Sequence, residues 1–182
     1  DRYVVLEVSF ALADTGESRP VRYAELARTL GVEPGQTVPL KDARETVLEL
    51  RRGKGMVLDP ADPDTRSAGS FFTNPILTPS ELAALEQRAP EGFPRFPERD
   101  GLTKTSAAWL IDRAGFTKGY GSGPARISGK HTLALTNPGD GRTEDLLALA
   151  REVRAGVHAA FGVTLVNEPV FIGTTLGDVE GE

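Results

Sequence analysis

Along the chain, apolar and polar positions alternate first with period two and then with the period of a helix. Over residues 3–12, Val4, Leu6, Val8 and Phe10 fall on one side and Val5, Glu7 and Ser9 on the other, the pattern of a half-buried strand that needs a pairing partner. After a turn over 16–20, Tyr23, Leu26, Ala27 and Leu30 recur at helical spacing and Gly31 offers a stop. A second helix is predicted from Leu40 to Arg52, with Leu40, Ala43, Val47 and Leu50 as its apolar side and Arg51 and Arg52 at the negative end of its dipole. Residues 53–70 carry no sustained period and read as a connection between two substructures, with a boundary near 59–66.

Further on, Thr78-Pro79-Ser80-Glu81 is a capping box with proline at the first helical position. Residues 89–101 read as loop. Ala107, Leu110, Ile111 and Ala114 mark a helix that stops at Gly115, and 132–136 a strand that leads into an Asn137-Pro138-Gly139 turn. The longest helix is predicted from Glu144 to Phe161, with Thr143 as its N-cap and Leu146, Leu149, Ala150, Val153 and Val157 as its stripe. Short closing strands over 163–166 and 170–172 and a frayed acidic tail complete an α+β reading.

Composition narrows the chemistry. The 182 residues contain no cysteine and only two histidines, which removes thiolate nucleophiles, disulfides, iron–sulfur clusters and the usual zinc sites. A net charge of -5 argues against a broad nucleic-acid-binding face and leaves room for a compact anion site. No apolar run approaches a membrane span and no secretory leader is present in the first 30 residues, so the expectation is a cytoplasmic protein without membrane contact. A chain that opens at Asp1 and enters a strand by Tyr3 reads as a fragment.

Several residues stand out as candidates. Ser70 lies between Gly69 and two phenylalanines; no G-x-S-x-G surrounds it, so a hydrolase nucleophile is disfavoured and a backbone-capping turn serine is the plainer reading. Lys54 and Lys118 sit on glycine-flanked loops from which an ammonium can approach a phosphate, although neither fits a P-loop. Gly119, Gly121 and Gly123 do not lie between a strand and a helix and make no dinucleotide fingerprint. Glu168, before Pro169 and beside apolar residues, is expected to be partly buried, which would favour its protonated form. His158 reads as a half-exposed helical residue, and His131, at the start of a strand, is the more interesting histidine.

GSFFTNP at 69–75, KTSAAWLIDRAG at 104–115, HTLALTN at 131–137 and NEPVFIG at 167–173, in this order, resemble the UDP-N-acetylenolpyruvoylglucosamine reductase family over essentially the whole chain. The resemblance implies an oxidoreductase of peptidoglycan synthesis in which NADPH reduces FAD, hydride passes to C3 of the enolpyruvyl group of UDP-N-acetylglucosamine enolpyruvate, and a proton reaches C2. It implies that residues 1–60 close a FAD-binding domain of vanillyl-alcohol-oxidase type whose first half is absent here. Residues 66–165 would form the substrate-binding domain, and 166–182 a return strand toward the flavin and a tail. Ser70 then matches the family's proton donor and Glu168 its catalytic acid; Lys54 and Lys118 match diphosphate contacts, and Asn74 a substrate-contacting asparagine. Two positions depart from the pattern. His131 stands where many relatives have glutamine, and Phe96 where many relatives with this longer loop have tyrosine, so a ring can still cover the ligand without its hydroxyl contact. The competing reading is a nucleotide-sugar-binding fragment that performs no redox chemistry alone.

Overall fold

The computed structural model describes residues 3–177. These divide into two compact units that meet in the chain between Arg52 and Gly53.

The first unit holds two helices, α1 (Ala24–Leu30) and α2 (Leu40–Gly53). Gly31 ends α1 at φ 69°, a left-handed conformation that a side chain disfavours. Backbone bonds Ser18 N–H to Val38 O (2.8 Å) and Val21 N–H to Gln36 O (2.9 Å) lay 16–21 against 35–40 in antiparallel fashion. The buried core here is small: Val21, Ala27 and Val38, with Leu26, Leu30, Val32 and Ala43 packed around it. Contrary to expectation, the α2 stripe is largely uncovered; no α2 residue is buried, and Leu40 and Val47 face outward. The strand expected over 3–12 does not form either. No residue there pairs, and its apolar face is open, with Leu6 93% and Phe10 79% exposed. A strand is stable only when a neighbour satisfies its backbone groups, and none of the described residues does so.

The second unit carries α3 (Pro79–Glu86), α4 (Ala107–Arg113), α5 (Thr143–Phe161) and two three-stranded antiparallel sheets. One sheet has the order β1 (Ser67–Ser70), β6 (Ala134–Thr136), β5 (Arg126–Ile127); the other has β2 (Ile76–Leu77), β4 (Thr103–Lys104), β3 (Phe96–Pro97). The architecture is α+β. The stretch 53–70, read as a connection, contains a 3-10 turn at Pro63–Thr65 as well as β1, and 89–101 contains β3 and a second 3-10 turn; strands of two to four residues are too short to leave a periodic trace.

The α3 capping box is present on both arms: Thr78 Oγ1 accepts from Glu81 N–H at 3.3 Å, and Glu81 Oε2 accepts from Thr78 N–H at 2.7 Å. The Thr78 hydroxyl, which donates to Glu81 Oε2 at 2.7 Å, and then the Thr78 N–H hold the Glu81 carboxyl below its ordinary pKa. For α5 the N-cap is Arg142 and not Thr143; Asp145 Oδ2 accepts from Arg142 N–H at 2.7 Å, which fixes the helix start one residue earlier than expected. The α5 stripe packs on α4 and β6, burying Leu149, Ala150, Val153 and Val157 in one core with Leu110, Ile111, Ile127 and Leu135. Gly156 is the close-approach position of α5. A Cβ there would lie 2.3 Å from Phe116 Cε2, inside van der Waals contact, so the missing side chain is what lets the ring seat.

Beyond α5 the expected strands over 163–166 and 170–172 are replaced by an extended segment. It makes one isolated bridge, Phe72 with Asn167, and its backbone bonds are Thr73 N–H to Val166 O and Glu168 N–H to Phe71 O, each 2.9 Å. Pro169 removes a donor and stops the ladder from extending. The tail is not frayed at 176–177: Leu176 is buried, and Arg151 and Arg154 donate to the carbonyls of Leu176 and Gly177. The acidic residues beyond lie outside the described residues. None of the described helices is long and apolar enough to cross a membrane.

Candidate functional site

Ser70 ends β1 opposite Ala134, just after the register of β1 with β6 shifts. The residue between them and the regular ladder is Gly69, at φ 81°, a conformation that glycine adopts without strain and other residues rarely do. Phe71 and Phe72 then bury almost completely, ring against ring at 5.1 Å, and anchor the turn from the core side. Ser70 itself stays half-buried. It lines a small cavity of about 230 Å³ together with Phe72, Thr73, Asn74, Leu133 and Glu168. Three residues expected from the sequence therefore share one wall, although Glu168 lies far along the chain. The bond from Glu168 N–H to Phe71 O is what brings it there.

One of these residues differs from expectation in detail. Glu168 is exposed, so the burial invoked to favour its protonated form is absent in this chain. Asn74 is also exposed, and its Oδ1 accepts from Ala107 N–H at 3.0 Å, capping the first turn of α4; its Nδ2 is the group left to donate outward. Sequence reasoning missed Leu133, which has no polar signature to distinguish it from a packing residue, and Thr73, whose hydroxyl donates to Val166 O at 3.2 Å.

Next to Leu133 of this wall stands His131, within electrostatic reach of Lys54 and Lys118. His131 does not start a strand, since β6 begins at Ala134; it closes a turn in which Ala134 N–H donates to His131 O at 3.0 Å and Leu133 N–H donates to His131 Nδ1 at 3.0 Å. With Nδ1 accepting, Nε2 carries the proton of the neutral ring and is the outward donor. Burial pushes the His131 pKa below its ordinary value, and the charges of Lys54 and then Lys118 push the same way. Two ammonium groups from separate loops thus act on one imidazole. Phe96, by contrast, is paired with Lys104 on the other sheet, half-exposed, and does not line the cavity. His158 is half-buried on α5, as expected, and lines a different groove with Glu81. Among the described residues no cluster of three or more His, Asp or Glu could hold a metal ion.

The fold and the site define a small α+β domain whose loops gather lysine, imidazole and amide donors next to a serine and a carboxylate. Residues 60–172 match the family described as UDP-N-acetylenolpyruvoylglucosamine reductase, C-terminal domain, and the chain belongs to that family. It is 69% identical over 183 residues to the UDP-N-acetylenolpyruvoylglucosamine reductase of Streptomyces avermitilis, covering 97% of this chain and 50% of the relative. It is 66% identical to the protein of the same name from Thermobifida fusca (97% and 51%) and 68% identical to that of Streptomyces coelicolor (97% and 48%). The chain spans about half the length of these curated relatives.

Proposed function

We propose that this chain is the substrate-binding part of an NADPH- and FAD-dependent reductase that converts UDP-N-acetylglucosamine enolpyruvate to UDP-N-acetylmuramate. The observation that carries this reading is the cavity wall shared by Ser70, Asn74 and Glu168, in a chain of this family. In this reading residues 1–60 close a FAD-binding domain of vanillyl-alcohol-oxidase type, 66–165 bind the nucleotide sugar, and 166–182 return toward the flavin. Cytoplasmic peptidoglycan precursor synthesis is the setting that goes with it.

A cavity of about 230 Å³ is below the roughly 300–1,000 Å³ that encloses a drug-sized ligand, so these residues fit one wall of a reaction site and not a seat for the flavin. When bound, FAD reduced by NADPH would supply a hydride for C3 of the enolpyruvyl group. That addition leaves an electron pair on C2, conjugated with the substrate carboxylate, and the Ser70 hydroxyl donates its proton there, taking one back from solvent. Glu168 serves as the acid beside the substrate carboxylate, a contact that needs a proton or a bridging cation between the two groups, since two bare carboxylates repel. Lys54 and Lys118 hold the diphosphate, and His131 Nε2–H and Asn74 Nδ2 donate to neighbouring substrate oxygens.

In the complete enzyme, Lys54→Ala and Lys118→Ala are each expected to raise the substrate KM about tenfold or more, with NADPH-driven flavin reduction intact. An unchanged KM in both removes the assignment. The half-length match favours one alternative, a nucleotide-sugar-binding module without redox activity of its own. NADPH-dependent reduction of UDP-N-acetylglucosamine enolpyruvate by the full-length protein separates the two, because a protein without bound FAD cannot run the cycle.

A further inference from the structure

We infer that Asp64 is a positioning residue that holds the loops of Lys54 and His131 against one another, an inference that rests on the substrate-binding roles proposed for those two side chains. Asp64 lies in the 3-10 turn Pro63–Thr65, which is tightly self-bonded: Asp62 Oδ1 accepts from Asp64 N–H at 3.0 Å, and Thr65 Oγ1 donates to the carbonyl of Asp62 at 2.8 Å. That turn touches two loops at once.

On its side-chain side, Asp64 Oδ1 accepts from Gly129 N–H at 3.1 Å. The next residue, Lys130, pairs with Asp62, and the N–H groups of Lys130 and His131 both donate to Ser128 Oγ, at 3.0 and 3.2 Å. The 128–131 turn that presents His131 is therefore fastened to the aspartates at its start. On its backbone side, Asp64 lies against Gly55, the neighbour of Lys54. Gly55 is buried at φ 68°, and a Cβ there would stand 3.2 Å from Asp64 O and 3.5 Å from Asp64 Cβ. One residue thus bonds the glycine two residues before His131 and stands where a side chain on the glycine after Lys54 would meet it.

A carboxylate near groups that bind an anion opposes that binding through its charge. Its contribution is then geometric: an acceptor for Gly129 N–H. Asparagine retains an acceptor oxygen and removes the opposing charge, whereas alanine removes both, so the two substitutions separate position from charge.

In the complete FAD-loaded enzyme, Asp64→Ala should raise the substrate KM about three- to tenfold, with kcat and NADPH-driven flavin reduction unchanged. Asp64→Asn should keep KM within about twofold of the parent. In a Lys54→Ala background, Asp64→Ala should add less than it does alone, because the two act on one contact. If Asp64→Ala does not fold, Gly55→Ala decides: at φ 68° it sets a methyl 3.2 Å from the backbone carbonyl oxygen of Asp64, which cannot swing aside as a side chain can, and should raise KM, and an unchanged KM overturns the inference. Equal rises for alanine and asparagine also overturn it, as does an unchanged KM in Asp64→Ala when Lys54→Ala raises KM. An unchanged KM in Lys54→Ala overturns the reading of the site itself.

Discussion

Ser70 shows how a short backbone device can expose a hydroxyl. Gly69 at positive φ interrupts the β1 register, Phe71 and Phe72 pin the next two positions in the core, and the serine is left lining a cavity with Glu168. No described side chain acts as a base on its hydroxyl, which suits proton donation to a strongly basic carbanion and not nucleophilic attack. In the complete enzyme, Ser70→Ala should therefore leave NADPH-driven flavin reduction nearly intact and slow flavin reoxidation by substrate about 10²- to 10⁴-fold, read by stopped-flow absorbance. Ser70→Cys should retain more activity than alanine, since a thiol still delivers a proton. Reoxidation of the alanine variant at the parental rate, or covalent attachment of substrate to Ser70, would show that the serine has another role. At this scale Ser70 and Asn74 line one cavity because they lie only four residues apart in the chain. The sequence misjudged Glu168, whose exposure depends on how a remote extended segment lies across that stretch.

Elements with strong local chemistry were legible. The α3 capping box, the α4 and α5 stripes and the Asn137 turn, in which Asn137 Oδ1 accepts from Gly139 and Gly141 N–H at 3.2 and 3.1 Å, all depend on residues within a few positions of each other. The two- to four-residue strands β1 to β6 were mostly not legible, because they form only where distant segments meet. Gly156 in mid-α5 belongs to the same illegible class. On propensity alone it costs the helix about 1 kcal/mol relative to alanine, and its reason is tertiary: the Phe116 ring occupies the space of its Cβ while Tyr120 holds that ring edge-on at 4.9 Å. Gly156→Ala should therefore destabilise the protein by about 1–3 kcal/mol, seen as a lower urea midpoint with unchanged slope. In a Phe116→Ala background the same change should become stabilising, as propensity alone would have it. Destabilisation of equal size in both backgrounds would mean that the ring contact is not what the glycine serves.

For the whole molecule, the most informative disagreement between sequence and structure is at 3–12. The alternation of Val4, Leu6, Val8 and Phe10 is as regular as any in the chain, yet these residues are exposed and make no ladder, while the chain spans about half the length of its relatives. Period two reports what a segment can bury, and not whether its partner is at hand. An unpaired strand leaves both an apolar face in water and a row of backbone donors and acceptors without fixed partners, so it is held in place only when a neighbouring strand is supplied. The expectation follows that amides of 3–12 exchange with solvent at nearly unprotected rates in this chain alone and become protected when the chain is part of the full-length reductase. Hydrogen exchange read by mass spectrometry on both proteins makes the comparison, with α5 amides, protected in each, as the internal reference. Equal, fast exchange at 3–12 in the full-length enzyme would show that the alternation is not a strand in waiting. Protection already present in the isolated chain would show that it finds its partner within these residues.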